Sequence, residues 1–177
     1  MKHKMLLILL FVGFAFAFTS CDKGDFEYED KFKDSQEVWN RFKKQTNNTY
    51  EYTTTGATWV GYSWQTTITV YNGKVNQRSF KYTGYPSEVS PNLELEWTET
   101  GLQLGSHKDT PASDVLTLDE VYQRAEQDWL KKRKGTETYF ETKNDGLISL
   151  CGYNEKGCQD DCFTGISIRS IIGGIID

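Results

Sequence analysis

Histidine is almost missing from this chain: of 177 residues two are histidine, His3 and His107. His3 lies in an apolar leader and His107 in the polar run Gly105-Ser106-His107-Lys108-Asp109, where a lone histidine is ordinarily just exposed. Chemistry that needs a positioned imidazole base therefore has little to work with. Neither Gly-x-Ser-x-Gly nor His-Glu-x-x-His occurs, and no glycine-rich phosphate loop is present. Acids are plentiful but no motif places them, so no catalytic residue is assigned. A hydrolase would need Asp160 and Asp161 to converge with Glu155 in a cleft. No cofactor is implied.

An excess of positive charge is also lacking. Lys and Arg number 20 against 25 Asp and Glu, a net charge of −5. A nucleic acid or an anionic membrane surface as partner would need a basic face, and the only cluster is Lys131-Lys132-Arg133-Lys134, which suits a helix C-terminus.

Long hydrophobic runs are missing too. The longest, residues 5–18, spans 14 residues, which as a helix reaches about 21 Å against a hydrocarbon core of about 30 Å. With Lys2 and Lys4 ahead of it and Phe18-Thr19-Ser20-Cys21 behind, the run reads as a secretory signal. Its exit resembles the lipobox of bacterial lipoproteins, in which the cysteine is acylated and becomes the mature N-terminus. Phe18 departs from the usual leucine there. Residues 1–20 are thus expected to be a signal peptide, with Cys21 lipid-bearing and the mature protein tethered to a membrane by its lipid. Their removal takes two lysines and no acid, moving the charge from −5 to −7 over 157 residues. Residues 21–33, charged and nearly free of aliphatics, read as a flexible acidic tether, similar to the stretch behind the cysteine in surface-exported lipoproteins of the Bacteroidota. Residues 34–177 are one domain's worth of chain.

Within that domain Asp34-Ser35-Gln36-Glu37 has capping-box spacing, and Val38, Trp39 and Phe42 share the face of the helix it would start. Strands follow from Tyr50-Glu51-Tyr52, over residues 64–71, and from Lys74 to about Tyr82, the last two joined by the hairpin signal Asn72-Gly73. A strict two-residue turn sets Phe80 against Gln65 and Tyr82 against Ser63, off the Ile68 and Val70 face. A bulge would restore one apolar face. Leu93-Glu94-Leu95-Glu96-Trp97 supplies a further strand, with residues 102–104 extending it past a turn. Thr117-Leu118-Asp119-Glu120 is a second capping box, and Leu118, Val121, Tyr122, Ala125 and Trp129 form one stripe of the helix that Gly135 ends. Strand patterns recur over residues 137–142, 147–153 and 163–172. The expected fold is α+β: two amphipathic helices on a curved antiparallel sheet, with a degenerate helix-plus-strands duplication hinted at by Glu37-Val38-Trp39-Asn40-Arg41 and Glu120-Val121-Tyr122-Gln123-Arg124.

Cysteine is scarce, four in all, and three crowd the C-terminal end: Cys151, Cys158 and Cys162. In an oxidising envelope they predict a disulfide. A hairpin with Cys151 opposite Cys162 sets Leu147 against Ile166 on the same side, and its closure is worth roughly 2–3 kcal/mol. The rival joins Cys158 to Cys162 across Gln159-Asp160-Asp161. Zinc lacks a histidine and a Cys-x-x-Cys pair, and a calcium loop order is missing around Asn144, Asp145, Asn154, Glu155, Asp160 and Asp161, so no metal is assigned.

Aromatics are what the chain does have, with 5 Trp, 10 Tyr and 10 Phe. Trp59, Tyr62, Trp64, Tyr82 and Trp97 are the candidate ligand-binding residues, provided they line the uncovered face of the sheet. The runs Trp39 through Tyr50-Glu51-Tyr52, Val70-Tyr71-Asn72-Gly73-Lys74-Val75, the Thr117 helix, and Asp145-Gly146-Leu147 through Asp160-Asp161 to Gly165-Ile166-Ser167-Ile168 resemble a bacterial lipoprotein family, domain of unknown function 6174. The resemblance spans most of residues 37–171. It implies one envelope domain and brings no activity, ligand or catalytic residue. The expectation is an outer-membrane lipoprotein, periplasmic or surface-exposed, acting as a non-catalytic binding module for a glycan, peptide or protein. The alternative is an inhibitor-like or structural protein that docks through an open loop, residues 59–64 or 105–114, with an apolar tip.

Overall fold

A computed structural model describes residues 26–87, 90–160 and 162–174. Cys21, its leader and Asp161 lie outside the described residues.

The first helix, α1, runs Glu29–Gln45, five residues earlier than the Asp34 capping box predicts. Its start is set by packing: Phe32, only 1% exposed, sits among Phe26, Tyr122 and Phe140 at ring distances of 5.5, 5.9 and 6.1 Å. Glu29 and Asp30 supply acids to the first turn, where the helix dipole favours them. Ser35 is interior instead of capping, its hydroxyl donating to the Gly146 carbonyl (2.7 Å) and sharing a 2.8 Å bond with the Tyr122 hydroxyl. The tether expected to reach residue 33 therefore gives way to helix by Glu29. Beyond α1, Asn47 and Asn48 turn the chain in left-handed conformations.

Three strands follow, β1 (Tyr50–Ala57), β2 (Ser63–Tyr71) and β3 (Lys74–Gly84). Asn72 and Gly73 close the β2–β3 hairpin with φ of 48° and 76°, as their sequence predicts. The ladder slips between Thr69 and Val70, so that Val70 faces Val75 but Thr66 faces Phe80 and Trp64 faces Tyr82. This is the bulge that one apolar face requires. The next strand, β4 (Glu96–Thr100), begins three residues after Leu93, and the stretch taken for its extension is a short 3-10 turn, Gly101–Gln103. Segment 104–116 then crosses the sheet to the second helix, α2 (Leu118–Arg124), which passes into a wider π-type turn, Ala125–Trp129. Both halves of the Thr117–Glu120 capping box are formed, and the whole expected stripe, Leu118, Val121, Tyr122, Ala125 and Trp129, is buried.

The last strands are β5 (Thr136–Glu141), β6 (Leu150–Glu155) and β7 (Thr164–Gly173). The order is β4-β3-β2-β1-β7-β6-β5, antiparallel at every step, so the fold of the described residues is α+β with one open seven-stranded sheet and two helices. The two meanders run across it in the same sense, joined where β1 meets β7. The core lies on the helix side, where Trp39 stacks on Tyr122 (6.0 Å) and stands edge-on to Tyr50 (5.3 Å). Buried tyrosines spend their hydroxyls on backbone: Tyr52 donates to the Leu116 carbonyl (2.6 Å) and Tyr50 accepts from the Leu118 amide (2.8 Å). Burial pushes the Tyr122 hydroxyl up to about 12.

The disulfide joins Cys158 to Cys162, Cα atoms 6.1 Å apart, and Cys151 is a free, buried thiol. The expected Cys151–Cys162 bridge does not form because β6 and β7 pair with Cys151 opposite Ile166. Glycine fixes that register: Gly152 faces Gly165, and the Phe163 ring covers both, a Cβ on Gly152 falling 2.6 Å from it. Cys162 is thus left beyond the strand end.

Two outcomes follow from these contacts. Thr117→Ala is expected to lower stability in urea unfolding by about 1 kcal/mol, the usual worth of an N-cap hydroxyl. Cys151, whose thiol burial holds well above its ordinary range, is expected to resist alkylation in the folded chain and to react once denaturant is added, read by mass spectrometry of its peptide.

Candidate functional site

The bulge in the β2–β3 ladder brings an aromatic row together on the helix side of the sheet. Tyr62 packs on Tyr82 (5.7 Å), Tyr82 on Phe80 (5.0 Å), Phe80 on Trp97 (5.3 Å), and Trp97 stacks on His107 at 4.1 Å and 6°. Three of the five candidate aromatics, Tyr62, Tyr82 and Trp97, are thus joined. They do not lie on the uncovered face, as a binding role had required. That face carries hydroxyls instead, with Thr53 bonded to Thr67 (3.1 Å) and Ser79 to Thr98 (3.0 Å), and it forms a shallow polar hollow of about 570 Å³ with Gln65 and Lys81. The reason is register: each of these aromatics alternates with a hydroxyl or charged residue, and the helix-side core takes the aromatic phase. Trp97, 7% exposed, is core and unavailable to a ligand.

The inner end of the row holds a buried ion pair. Arg78 donates from two nitrogens to Glu99, both at 2.9 Å, and its guanidinium lies 4.8 Å over the Trp97 ring. Glu99 also accepts from the Gly105 amide (2.7 Å), the Ser106 hydroxyl (2.9 Å), and the His107 amide and Nδ1 (2.7 Å each). His107 is therefore half-buried against this carboxylate and is not a free loop residue, and its Nε2 stands 3.5 Å from Glu94. Burial pushes the Glu99 carboxyl up. The Arg78 guanidinium and the donors of residues 105 and 107 outweigh it and hold the group well below the usual carboxylate range. The remaining Arg78 nitrogen donates to the Ser113 carbonyl (3.1 Å), whose amide donates to Thr66 (3.0 Å) and whose hydroxyl bonds Thr54 (2.6 Å). The pair thus pins the crossing segment to the sheet.

That segment walls a cleft. Thr55, Trp64, Ser113, Asp114, Arg124 and Phe163 are among the residues enclosing about 370 Å³, with Trp129 and Ile166 at its back. Trp64 sits opposite Gly56 and lies flat on it, since a Cβ there would come 2.5 Å from the indole. At the rim Arg124 pairs with Asp114 at 2.7 Å. Trp64 is the sequence candidate that lines this cleft. Trp59 stands apart, 75% exposed at the tip of the β1–β2 turn. Glu155, the last residue of β6, and Asp160 on the β6–β7 loop are exposed, and among the described residues no group of three or more His, Cys, Asp or Glu could hold a metal ion.

Sequence reasoning missed Arg78, Glu99 and Arg124. The first two were within reach: once the bulge is accepted, Arg78 falls in phase with Phe80 and Glu99 with Trp97, a charge of each sign on the buried face of neighbouring strands. Compared with family models, with curated proteins and with solved structures, the chain matches none.

Removing the Glu99 charge leaves Arg78 buried and unpaired, so Glu99→Gln is expected to cost about 3–5 kcal/mol in urea unfolding at neutral pH. Because the native carboxyl is held below its ordinary 4.5, the unfolded chain takes up the proton first. Its stabilisation is whole above that pH and is lost progressively as pH falls below it. In the Glu99→Gln chain that contribution to the acid loss is expected to be absent.

Proposed function

We propose that this chain is a non-catalytic binding module of the cell envelope, held by a lipid on Cys21, and that the Trp64 cleft takes a glycan. The observation that carries the reading is the indole of Trp64, half-buried and laid flat over Gly56 in a cleft that also offers hydroxyls and an ion pair. A sugar ring has one face of C–H groups and a rim of hydroxyls. The first suits an aromatic plane, and the second suits Ser113, Arg124 and Asp114. The Arg78–Glu99 pair supports the reading by fixing Ser113 in place before any ligand arrives, which lowers the entropic cost of binding.

The resemblance to the lipoprotein family of unknown function and the outer-membrane location belong to the same proposal. So do the curvature of the sheet, the amphipathic character of both helices and the helix-plus-strands duplication. The shared sense of the two meanders supports the last of these.

The test is a glycan array probed with the full chain, followed by titration of any glycan retained. Trp64→Ala is expected to weaken that binding roughly thirtyfold, as for a central tryptophan anchor. Gly56→Ala is expected to weaken it as well by lifting the indole. An array with no glycan retained, or a Trp64→Ala chain that binds as before, overturns the assignment.

A further inference from the structure

The β1–β2 turn is built to hold two apolar residues out in solvent. Thr58 accepts from the Gly61 amide (3.2 Å) and donates its own amide to Tyr62 (2.8 Å), while its hydroxyl accepts from the Tyr62 amide (3.3 Å). Gly61 takes a φ of 95° to close the loop. At the apex Trp59 is 75% and Val60 47% exposed, and Tyr85, also 47% exposed, follows β3 beside them, where a Cβ on Gly61 would come 3.9 Å from Pro86. A well-bonded turn that presents an indole and a branched aliphatic to water costs solvation unless something covers them.

Where the chain enters the fold says what covers them. Following the antiparallel order, the start of β5, the end of β1 and the end of β3 lie at one end of the sheet. Residue Phe26 bridges to Lys131, just before β5, and Tyr28 donates to the Thr138 carbonyl (3.3 Å), so the N-terminal end of α1 is at that same end. However residues 21–25 are arranged, five residues reach at most about 17 Å. A lipid on Cys21 therefore keeps this end within about 17 Å of its bilayer, and β1 is only three strand spacings, about 14 Å, from β5. The opposite end also exposes Tyr71, Leu102 and Ile172, but no path to Cys21 starts there.

We infer that the Trp59–Val60 turn, with Tyr85 beside it, rests in the interface of the bilayer that carries the Cys21 lipid. Indole and phenol rings favour that zone because one side is apolar and the other keeps a hydrogen bond to water. Charges at this end balance, 7 basic and 7 acidic residues over 26–33, 128–137 and 155–160, so the contact is with neutral lipid and does not depend on low salt. The domain then stands with its strands pointing away from the membrane, secured by acyl chains at one point and by the turn at another. The acyl part rests on the lipid-anchor reading above, while the turn is a separate contact.

The test uses the full chain in phosphatidylcholine vesicles whose acyl chains carry bromine, a contact quencher of tryptophan, with unbrominated vesicles as reference. Trp39, Trp97 and Trp129 are buried, which leaves Trp59 the most accessible indole of the described residues. The expected result is a brominated-lipid loss of fluorescence that is mostly abolished by Trp59→Phe and unchanged by added salt. Replacing Trp59 by serine in a Cys21→Ser chain is expected to weaken vesicle partition on the order of tenfold, the loss of one large apolar side chain's burial. Mass analysis of the Cys21 peptide separates the two readings. An acylated chain whose Trp59 is unquenched overturns the membrane contact, leaves the anchor standing, and assigns the turn to a protein partner. An unacylated chain whose Trp59 is quenched at high lipid removes the anchor and keeps the contact. Neither acylation nor quenching removes both.

Discussion

Everything on the helix side depends on the Trp39 ring being trapped between two tyrosines that belong to different parts of the chain. Tyr122 brings α2 to it, Tyr50 brings the central strand, and Asp119 takes the indole N–H at 2.8 Å while also holding Lys43. Phe32 repeats the arrangement seven residues earlier in α1, against Tyr122 of α2 and Phe140 of β5. The tyrosine hydroxyls convert the same contact into specificity. Each bonds a named backbone group, as when Tyr122 takes the Ile148 amide (3.4 Å), so a slipped helix would strand a buried polar atom as well as open a void.

The Arg78–Glu99 pair is the polar counterpart on the other half of the sheet. A buried pair of this kind is poor value as stability alone, since its desolvation cost is large. Its geometry suggests a different return. One carboxylate gathers donors from residues 78, 105, 106 and 107, and one guanidinium reaches on to residue 113, so a long crossing segment is held in one path over the sheet. The walls of the Trp64 cleft inherit that definition.

Elements written by local chemistry were legible in the sequence. Asn72-Gly73 specifies its turn, Thr117-x-x-Glu120 its capping box, and the mismatch of Phe80 and Tyr82 requires a bulge. What escaped depended on partners distant in sequence. The start of α1 is set by Phe32 meeting Phe140, a contact that the charged run around it conceals. The disulfide is set by a pair of facing glycines, whose meaning appears only once β6 and β7 are aligned. His107 read as an ordinary loop residue because nothing near it in sequence says that Glu99 has turned inward. The candidate site shows the same division: its aromatics were visible as types, while the face they occupy was decided by which phase of each strand the helices chose to cover.

The seam between β1 and β7 has a consequence for how the molecule comes into being. Thr54 pairs with Ile168, 114 positions later, and this ladder is what unites the two meanders into one sheet. Contacts so far apart along the chain close late and slowly, because the loop between them must be ordered first. Made from its N-terminus, the polypeptide carries an unpaired β1 edge until β7 arrives, and any shortening that removes β7 would leave that edge open for good. The sheet is therefore made whole by residues 164–173, the strand that follows every other one described.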